Sequence, residues 1–310
     1  MGHVQIGKTV TEFILLGLSD HPKTQCILFV FLLIAYVMIL FGNFSIIFLC
    51  LTDNNLKTPM YVFLSSLSLL DICFATSTVP RMLKDLLSVK KTISFEECAV
   101  QMFVSLSLGV CECILLAVMA YDRYIAICNP LRYTSIISRS VCIRIILGNW
   151  IFGFVQSIPV VLFTLNVDVC GHNTINHFVC EVPEVLSLAC ANLFIIECFL
   201  FFAGSFILMI PVAFIVISYI KIIITILNIA SSAGRQKAFS TCGSHMMVVT
   251  LFYGTIIAAY MKPRSISSPE TDKIIAVFYI IVTPILNPLI YTLRNKDIKV
   301  AIFKCKSQYF

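Results

Sequence analysis

Seven long apolar runs divide the sequence. Each run is rich in Leu, Ile, Phe and Val and reaches the roughly 20 helical residues that cross a hydrocarbon layer about 30 Å thick. The runs lie at 26–51, 59–80, 98–121, 142–164, 193–227, 238–261 and 274–293. They lack the strict alternation of apolar and polar positions that spanning β-strands require. The pattern therefore predicts an all-α membrane protein built as a bundle of seven transmembrane helices.

The composition agrees with this pattern. The chain has 310 residues, of which 59% are hydrophobic and 12% are charged, whereas an average soluble domain has about 25% charged residues. These values exclude the soluble globular, disordered, collagen-like and nucleic-acid-binding classes. The longest connection, between 164 and 193, is too short to hold a soluble catalytic domain. We therefore expect a single membrane domain over 1–310 with the lipid bilayer as its surroundings.

Basic residues indicate the orientation of the bundle. Of the 22 Lys and Arg residues, 13 fall in the loops and tail on the side of the C-terminus, where acidic residues are few. Lys and Arg collect on the cytoplasmic side of membrane proteins. We therefore expect 1–25 to be extracellular, 26–293 to form the bundle, and 294–310 to be a cytoplasmic tail with a short amphipathic helix. No cleaved signal peptide is expected, because the apolar stretch Phe13–Leu18 is too short.

Cysteines support the same orientation. Four of them fall at or beside the predicted outer face, where an oxidising compartment allows disulfides to persist. These four are Cys98, Cys170, Cys180 and Cys190, and they allow three possible pairings. Cys305, in the basic and apolar tail, is a candidate for palmitoylation.

Two carboxyl groups lie inside the predicted spans, where ionisable residues are costly and usually functional. Asp71 in the second run and Glu112 in the third both lie near mid-depth. Two carboxylates at one depth raise each other's pKa unless a cation or polar groups intervene. We therefore predict either a Na⁺ or shared-proton site at this pair, or hydrogen bonds from Asn43 and Asn287.

Two further features suggest a conformational switch. Asp122, Arg123 and Tyr124 stand at the cytoplasmic end of the third run, where the arginine either has a functional role or serves as an interfacial anchor. In the seventh run, Pro284 and Pro288 remove backbone donors and predict a bend. Such a bend allows two packings, but it also fits a static kink.

Together these motifs resemble those of a rhodopsin-like (class A) G-protein-coupled receptor. The resemblance rests on Asp122-Arg123-Tyr124, Trp150, Cys98 and the motif Asn287–Tyr291, and it covers all seven spans. More narrowly, the chain resembles the olfactory (odorant) receptor family. The motifs for this lie at Leu56–Tyr61, Met119–Cys128, Ser218-Tyr219, Lys237–Cys242, Ser244-His245 and Pro284–Asn295.

The sequence departs from the family pattern at a few positions. Lys57, Val62 and Ser66 stand where His, Phe and Asn are common in the family. Residues 1–25 contain no Asn, although family members usually carry a glycosylation site there. The single Asn-x-Ser/Thr match begins at Asn43 inside the first span, and we interpret Asn43 as a helix-packing residue.

The resemblance implies the disulfides Cys98–Cys180 and Cys170–Cys190, and a ligand pocket in the outer half of the bundle. The implied pocket residues are Ser105, Leu106, Gly109, Val110, Ala203, Gly204, Ile207, Tyr253, Ile256, Ile257, Tyr260, Val277 and Ile280. This set has no charged member, so a charged ligand would lose hydration without gaining a partner. We expect a small, neutral, mostly apolar ligand, with Ser105 and Tyr260 as polar contacts unless they bond to helix carbonyls. Glu197 would change this expectation if it faced inward.

The resemblance also implies the function. An odorant receptor binds a small volatile ligand and activates a heterotrimeric G protein of the olfactory or stimulatory type, which raises cAMP. It is not an enzyme, and it is a multi-pass plasma-membrane protein, expected in sensory neuron cilia. The implied coupling and switch residues are Asp122, Arg123, Tyr124, Tyr219, His245, Asn287, Pro288 and Tyr291.

Other classes of membrane protein share some of these features. A transporter or channel would also have mid-membrane carboxyl groups, but the sequence shows no second half that echoes the first. An intramembrane enzyme would need a catalytic motif that the spans lack. A non-olfactory class A receptor for a lipid or small ligand remains the nearest alternative. The segment His177-x-x-Cys180-Glu181 has metal-binding residue types, but an oxidised Cys180 offers no thiolate, so we predict no metal.

Overall fold

The computed structural model describes residues 11–169, 172–190, 193–229, 231–261 and 268–309. Seven of its helical segments are long and apolar enough to cross a membrane. The first six are Pro22–Thr52, Pro59–Leu86, Phe95–Cys128, Arg139–Leu165, Phe194–Leu227 and Ser232–Tyr260. The seventh is composite, with an α-helix Pro269–Val277, a π-helical stretch Phe278–Val282 and an α-helix Thr283–Arg294. The predicted bundle of seven transmembrane helices is confirmed.

Most of the helices extend beyond the apolar runs, and a serine side chain caps the start of the third, fourth, sixth and seventh segments. The third helix begins three residues before its apolar run, since Ser94 and Glu97 form a reciprocal capping box. The Ser94 Oγ accepts the Glu97 N–H at 3.1 Å, and the Glu97 carboxylate accepts the Ser94 N–H at 3.2 Å. Such bonds satisfy the free donors of a first helical turn and allow polar residues to continue a spanning helix.

The predicted C-terminal helix is present, and it contacts the cytoplasmic end of the bundle. It covers Lys296–Tyr309. The Tyr61 hydroxyl donates to Asn295 at 3.1 Å and to Asp297 at 3.0 Å, and Lys304 lies 3.7 Å from Asp53. The side chain of Cys305, the palmitoylation candidate, lies outside the described residues.

A small β-sheet covers part of the outer end, and the hydrophobic pattern does not predict it. Its strands are β1 (Glu12–Leu15), β2 (Thr92–Ser94) and β3 (Thr174–Ile175), in the order β2-β1-β3. Strand β1 pairs antiparallel with β2 and parallel with β3. The extracellular N-terminal segment therefore joins two outer loops, and its apolar side chains Phe13 and Leu15 are buried beneath it.

The third helix forms the centre of the bundle. Its side chains, including Cys111, Leu115, Leu116 and Ala120, are buried among those of neighbouring helices. The fifth helix is the opposite case, because most of its large apolar side chains are exposed. In a bilayer this exposed surface faces lipid, so its exposure does not destabilise the folded protein.

The third and fourth helices approach closely at Gly153. A Cβ added at Gly153 would meet the Cys111 Sγ and would lie 2.8 Å from the Ser107 carbonyl oxygen. Backbone on the third helix cannot move away without disturbing the central packing. The Asn149 amide, one turn earlier, donates to the Cys111 carbonyl at 2.9 Å across the same contact.

We therefore expect Gly153→Val to destabilise the bundle by about 1–3 kcal/mol through overpacking. The measurement is the melting temperature of the purified receptor in detergent, together with its display at the cell surface. Gly148→Val is the matched control, because a Cβ at Gly148 on the same helix meets nothing within 4 Å. Equal melting temperatures for the two variants would contradict the close approach at Gly153.

Candidate functional site

A cavity of about 770 Å³ opens in the outer half of the bundle. Its walls come from the third, fourth, fifth and sixth helices, with contributions from the second and seventh, and the loop after the fourth helix covers it. Nine of the thirteen predicted pocket residues line it: Ser105, Leu106, Gly109, Val110, Ala203, Gly204, Ile207, Ile256 and Tyr260. The structure therefore brings together most of the predicted set, whereas ligand binding by these residues stays a prediction.

The other four predicted pocket residues do not line the cavity. Tyr253 turns toward the third helix, where its hydroxyl donates to the Cys113 carbonyl at 2.7 Å. Ile280 is completely buried in the core, and Ile257 and Val277 pack against that core. The π-helical stretch of the seventh segment includes Ile280 and begins directly after Val277, and a π-turn changes which residues share a helix face.

The expectation of an uncharged cavity is wrong. Five acidic residues line it: Glu112, Glu181, Glu184, Glu197 and Asp272. None of the described lining residues is Lys or Arg. The implied set missed these carboxyl groups because Glu181 and Glu184 belong to the covering loop, whose position over the cavity is a tertiary property. Glu197 does face the cavity, as the sequence allowed.

The covering loop is held by a disulfide and by a hydrogen bond to a side-chain amide. The Cys98–Cys180 disulfide implied by the resemblance is present, and the Cys180 N–H donates to the Gln101 side chain at 2.9 Å. Cys170, a member of the second implied pair with Cys190, lies outside the described residues, so that pairing stays a prediction. These bonds fix the loop above the third helix.

Glu181 connects this loop to the sixth and seventh segments. Its carboxylate accepts hydrogen bonds from the Tyr260 hydroxyl at 3.1 Å and from the Tyr279 hydroxyl at 2.5 Å. Burial raises the pKa of Glu181, and the two tyrosine hydrogen bonds oppose this rise. The sequence indicated Tyr260 as a polar contact but gave no signal for Tyr279, which lies in the π-helical stretch.

The second predicted polar contact, Ser105, bonds within its own helix. Its hydroxyl donates to the Gln101 carbonyl at 2.6 Å, which is the alternative that the sequence left open for a helical serine. The Ser105 donor is therefore already used in the structure.

The mid-membrane carboxyl groups have unequal surroundings. The Asn287 amide donates to both oxygens of Asp71, each at 3.1 Å. Asn43 does not contact either carboxyl group, since its amide donates to the Ile39 carbonyl at 3.0 Å and to the Pro284 carbonyl at 3.1 Å. Oε1 of Glu112 has no hydrogen-bond partner among the described residues. A Na⁺ ion or shared proton at Asp71 and Glu112 stays a prediction.

The predicted switch residues gather at the cytoplasmic end. The Tyr133 hydroxyl donates to Asp122 at 2.8 Å, and burial raises the pKa of that tyrosine. The Tyr219 hydroxyl lies 2.8 Å from Nδ1 of His245, and the two rings stack. The positive charge of Arg123 lies close enough to interact electrostatically with both Tyr219 and His245.

The remaining switch residues lie on the adjoining third and seventh segments. Tyr291 is buried, its hydroxyl has no partner within the described part of the chain, and the charge of Arg123 reaches it. Pro288 packs close to Gly42, where an added Cβ would lie 3.0 Å from its ring. Tyr124 lies under the Lys221 ammonium, 5.5 Å from its ring centre.

The metal-binding interpretation of the covering loop finds no support in the geometry of His177. Cys180 is oxidised, and Nδ1 of His177 accepts the Val179 N–H at 3.3 Å. The His177 ring is 2% exposed and stacks on Phe178 with ring centres 4.5 Å apart. Burial, with the charge of Lys273 as a second cause, lowers the pKa of His177 from 6.5 to about 4.

Comparison with known proteins gives a consistent result. The sequence profile described as "Olfactory receptor" matches residues 31–308. Olfactory receptor 5M5 of Mus musculus is 49% identical over 295 residues, which cover 95% of this chain and 93% of that protein. Olfactory receptor 2D2 of Homo sapiens is 50% identical over 307 residues and 99% of each chain. Putative olfactory receptor 2B3 of Homo sapiens is 50% identical over 302 residues, covering 95% and 96% of the two chains.

The buried His177 predicts a pH-dependent stability. The folded state holds the His177 ring neutral. Its contribution to the free energy of unfolding is therefore complete above pH 6.5 and is lost as the pH falls toward about 4. The loss at pH 5 amounts to about 2 kcal/mol. Melting temperatures in detergent between pH 7.5 and 5 should fall less for His177→Gln than for the wild type.

The raised pKa of Glu181 has the opposite effect on stability, so the difference between variant and wild type is the quantity to compare. His172→Gln is the control, because His172 is an exposed residue of the same loop. Equal pH slopes for the wild type and both variants would contradict a neutral, buried His177.

Proposed function

This chain belongs to the olfactory receptor family, and from that premise we propose how it works. It is an odorant-sensing receptor of the plasma membrane and not an enzyme. We propose that its ligand is a small, neutral, mostly apolar volatile molecule that binds in the outer cavity. The bound receptor then activates a heterotrimeric G protein of the olfactory or stimulatory type, which raises cAMP.

The single observation that supports this ligand class is the composition of the cavity. Apolar side chains such as Leu106, Val110, Ile207 and Ile256 make up most of its wall, and such a wall favours apolar ligands. An anionic ligand is disfavoured, because the lining carboxyl groups would repel it and no described lining residue is basic. A cationic ligand is not required either, because Glu181 accepts two tyrosine hydroxyls, and Glu184, Glu197 and Asp272 each already have an interaction within the protein. A volume of about 770 Å³ also suits a small molecule.

The proposed mechanism is a shift between two packings of the bundle. Tyr253 joins the sixth helix to the third through the Cys113 carbonyl, directly below the cavity. A ligand that prefers one arrangement of these helices biases an equilibrium that exists without it. At the cytoplasmic end, the Tyr219–His245 pair, Tyr291 and Arg123 would rearrange, and the sixth helix would move outward to admit the G protein.

The link between the two ends is the reason to expect ligand-dependent signalling. Coupling between sites is reciprocal, so a bound G protein should also raise the affinity for the ligand. The polar contacts that connect the ends lie on the inner faces of the second, third, sixth and seventh segments, where Tyr253 bonds to the Cys113 carbonyl and Asn287 bonds to Asp71. Such contacts can change partners only where lipid does not enter between the helices. Asp71 and Asn287 meet this condition, because both are buried.

We expect Arg123→Ala to reduce the ligand-dependent cAMP signal about tenfold or more, which corresponds to the loss of about 1.4 kcal/mol of coupling. The assay uses cells that co-express the olfactory G protein and are exposed to a panel of volatile compounds. Arg144→Ala is the matched control, because Arg144 is an exposed cytoplasmic arginine whose guanidinium, among the described residues, bonds only within its own helix.

Surface display of each variant is measured in parallel, so that loss of signalling is separated from loss of protein. Tyr260→Phe and Ser105→Ala test the two polar contacts of the cavity, and we expect the larger change in potency from Tyr260→Phe. A cAMP response that Arg123→Ala leaves unchanged would contradict coupling through this residue.

A further inference from the structure

The outer cavity is wide as well as deep. Its described lining residues come from six helical segments, the second to the seventh, and from the covering loop. On the third helix the lining runs from Met102 to Cys113, a depth of about 16 Å at 1.5 Å per residue. A cavity of about 770 Å³ with this depth has a mean cross-section of about 50 Å² and a mean width of about 8 Å. The cavity is therefore broad, and not a narrow slot between two helices.

Two glycines add to this width. Gly109 on the third helix and Gly204 on the fifth both line the cavity, and a Cβ added at either position would meet nothing within 4 Å. The nearby lining residues Ser105, one turn before Gly109, and Ala203, next to Gly204, also have short side chains. Where the third and fifth helices border the cavity, the protein therefore leaves space that longer side chains would fill.

An extended alkyl chain fills a cavity of this width poorly. Carbon atoms attract one another best at a separation of about 3.5–4 Å, so a single chain contacts only part of a wall about 8 Å across. The wall that it does not reach loses those contacts. A rigid ligand with fused rings contacts more of the wall and has less conformational freedom to lose on binding.

The hydroxyl groups of the cavity wall are already used within the protein. Tyr260 and Tyr279 donate to Glu181. Ser187 donates to the Glu184 carbonyl at 2.6 Å, and Ser105 donates to the carbonyl one turn before it. A ligand oxygen therefore gains no free hydroxyl donor from the described lining, and contact with the apolar wall becomes the main source of selectivity.

We propose that the cavity selects broad, ring-containing apolar molecules over straight chains of the same size, and that Gly109 and Gly204 determine this selectivity. The inference rests on the proposed function and adds the shape class of the odorant. Fused-ring hydrocarbons, alcohols and ketones belong to the preferred class. A larger side chain at either glycine reduces the width of the cavity, so it penalises the rings while a single chain still fits.

The test compares pairs of volatile compounds that share their number of carbon atoms and their functional group. The pairs are decane with decalin, 1-decanol with 2-decalol, and 2-decanone with 2-decalone. The readout is the ratio of the straight-chain EC50 to the ring-compound EC50 in the cAMP assay, with surface display measured for every variant. For the wild type we expect a ratio of about ten or more in every pair, the value of about two further buried methylene groups.

Four cavity variants and one control relate this ratio to the two glycines. Gly109→Val and Gly204→Val each fill part of the width, and we expect the ratio to fall to about one. Gly109→Ala and Gly204→Ala add a single methyl group and favour the helix, and they should lower the ratio about threefold. Gly148→Val is the matched control and should keep the wild-type ratio. Gly148 is an exposed glycine of the fourth helix outside the described lining, and its added Cβ also meets nothing within 4 Å.

Each outcome either supports or overturns the inference. Wild-type ratios near one overturn it, and so does a wild-type ratio that persists in either valine variant. A high ratio in one functional class alone also overturns it, because the functional group and not the shape would then decide. If a valine variant is absent from the surface, the alanine variant at the same position decides.

Failure of the proposed function gives a different result. A displayed wild type that is silent toward all volatile compounds contradicts the proposed function itself. A wild type that responds to other volatile compounds but to none of the ring compounds overturns only the inference about shape.

Discussion

Lipid offers no hydrogen bonds, and this constraint determines how the polar side chains of the bundle are arranged. A polar group inside the hydrocarbon layer is stable only where another part of the protein bonds to it. The amide of Asn43 therefore bonds to two carbonyls, the amide of Asn287 to Asp71, and the hydroxyl of Tyr253 to a carbonyl of the third helix. All of these bonds except the one from Asn43 to the Ile39 carbonyl cross from one helix to another, so they also fix the relative positions of the helices.

The third helix has the largest share of these contacts. It donates or accepts bonds with the fourth and sixth helices and is joined by a disulfide to the loop above the cavity. Its outer half forms a wall of the cavity, and its inner end carries the Asp122–Tyr133 contact and Arg123. A rigid, central helix that meets both sites is a physical basis for coupling between them, because small shifts at one end alter packing at the other.

The outer end follows a different principle, because water and loops meet there. A three-stranded sheet and a disulfide hold the N-terminal segment and the covering loop in place. Lys91 reinforces this arrangement by donating to the Leu16 and Ser19 carbonyls. The loop brings Glu181 and Glu184 over the cavity. A site whose walls are apolar helices thus acquires acidic groups from a segment that is distant in sequence.

The number of spans, their type and the family follow from the amino-acid sequence alone, because apolar length and local motifs are properties of contiguous residues. The sequence also indicated most of the helical cavity wall and the polar residues that need partners within the membrane. Tertiary structure alone decided that Asn287 rather than Asn43 bonds to Asp71, that the π-helical stretch places Tyr279 against Glu181, and that the cavity is acidic. Each of these depends on helix rotation or on the path of a loop, and neither is encoded in local periodicity, since both are set by packing between segments that lie far apart along the chain.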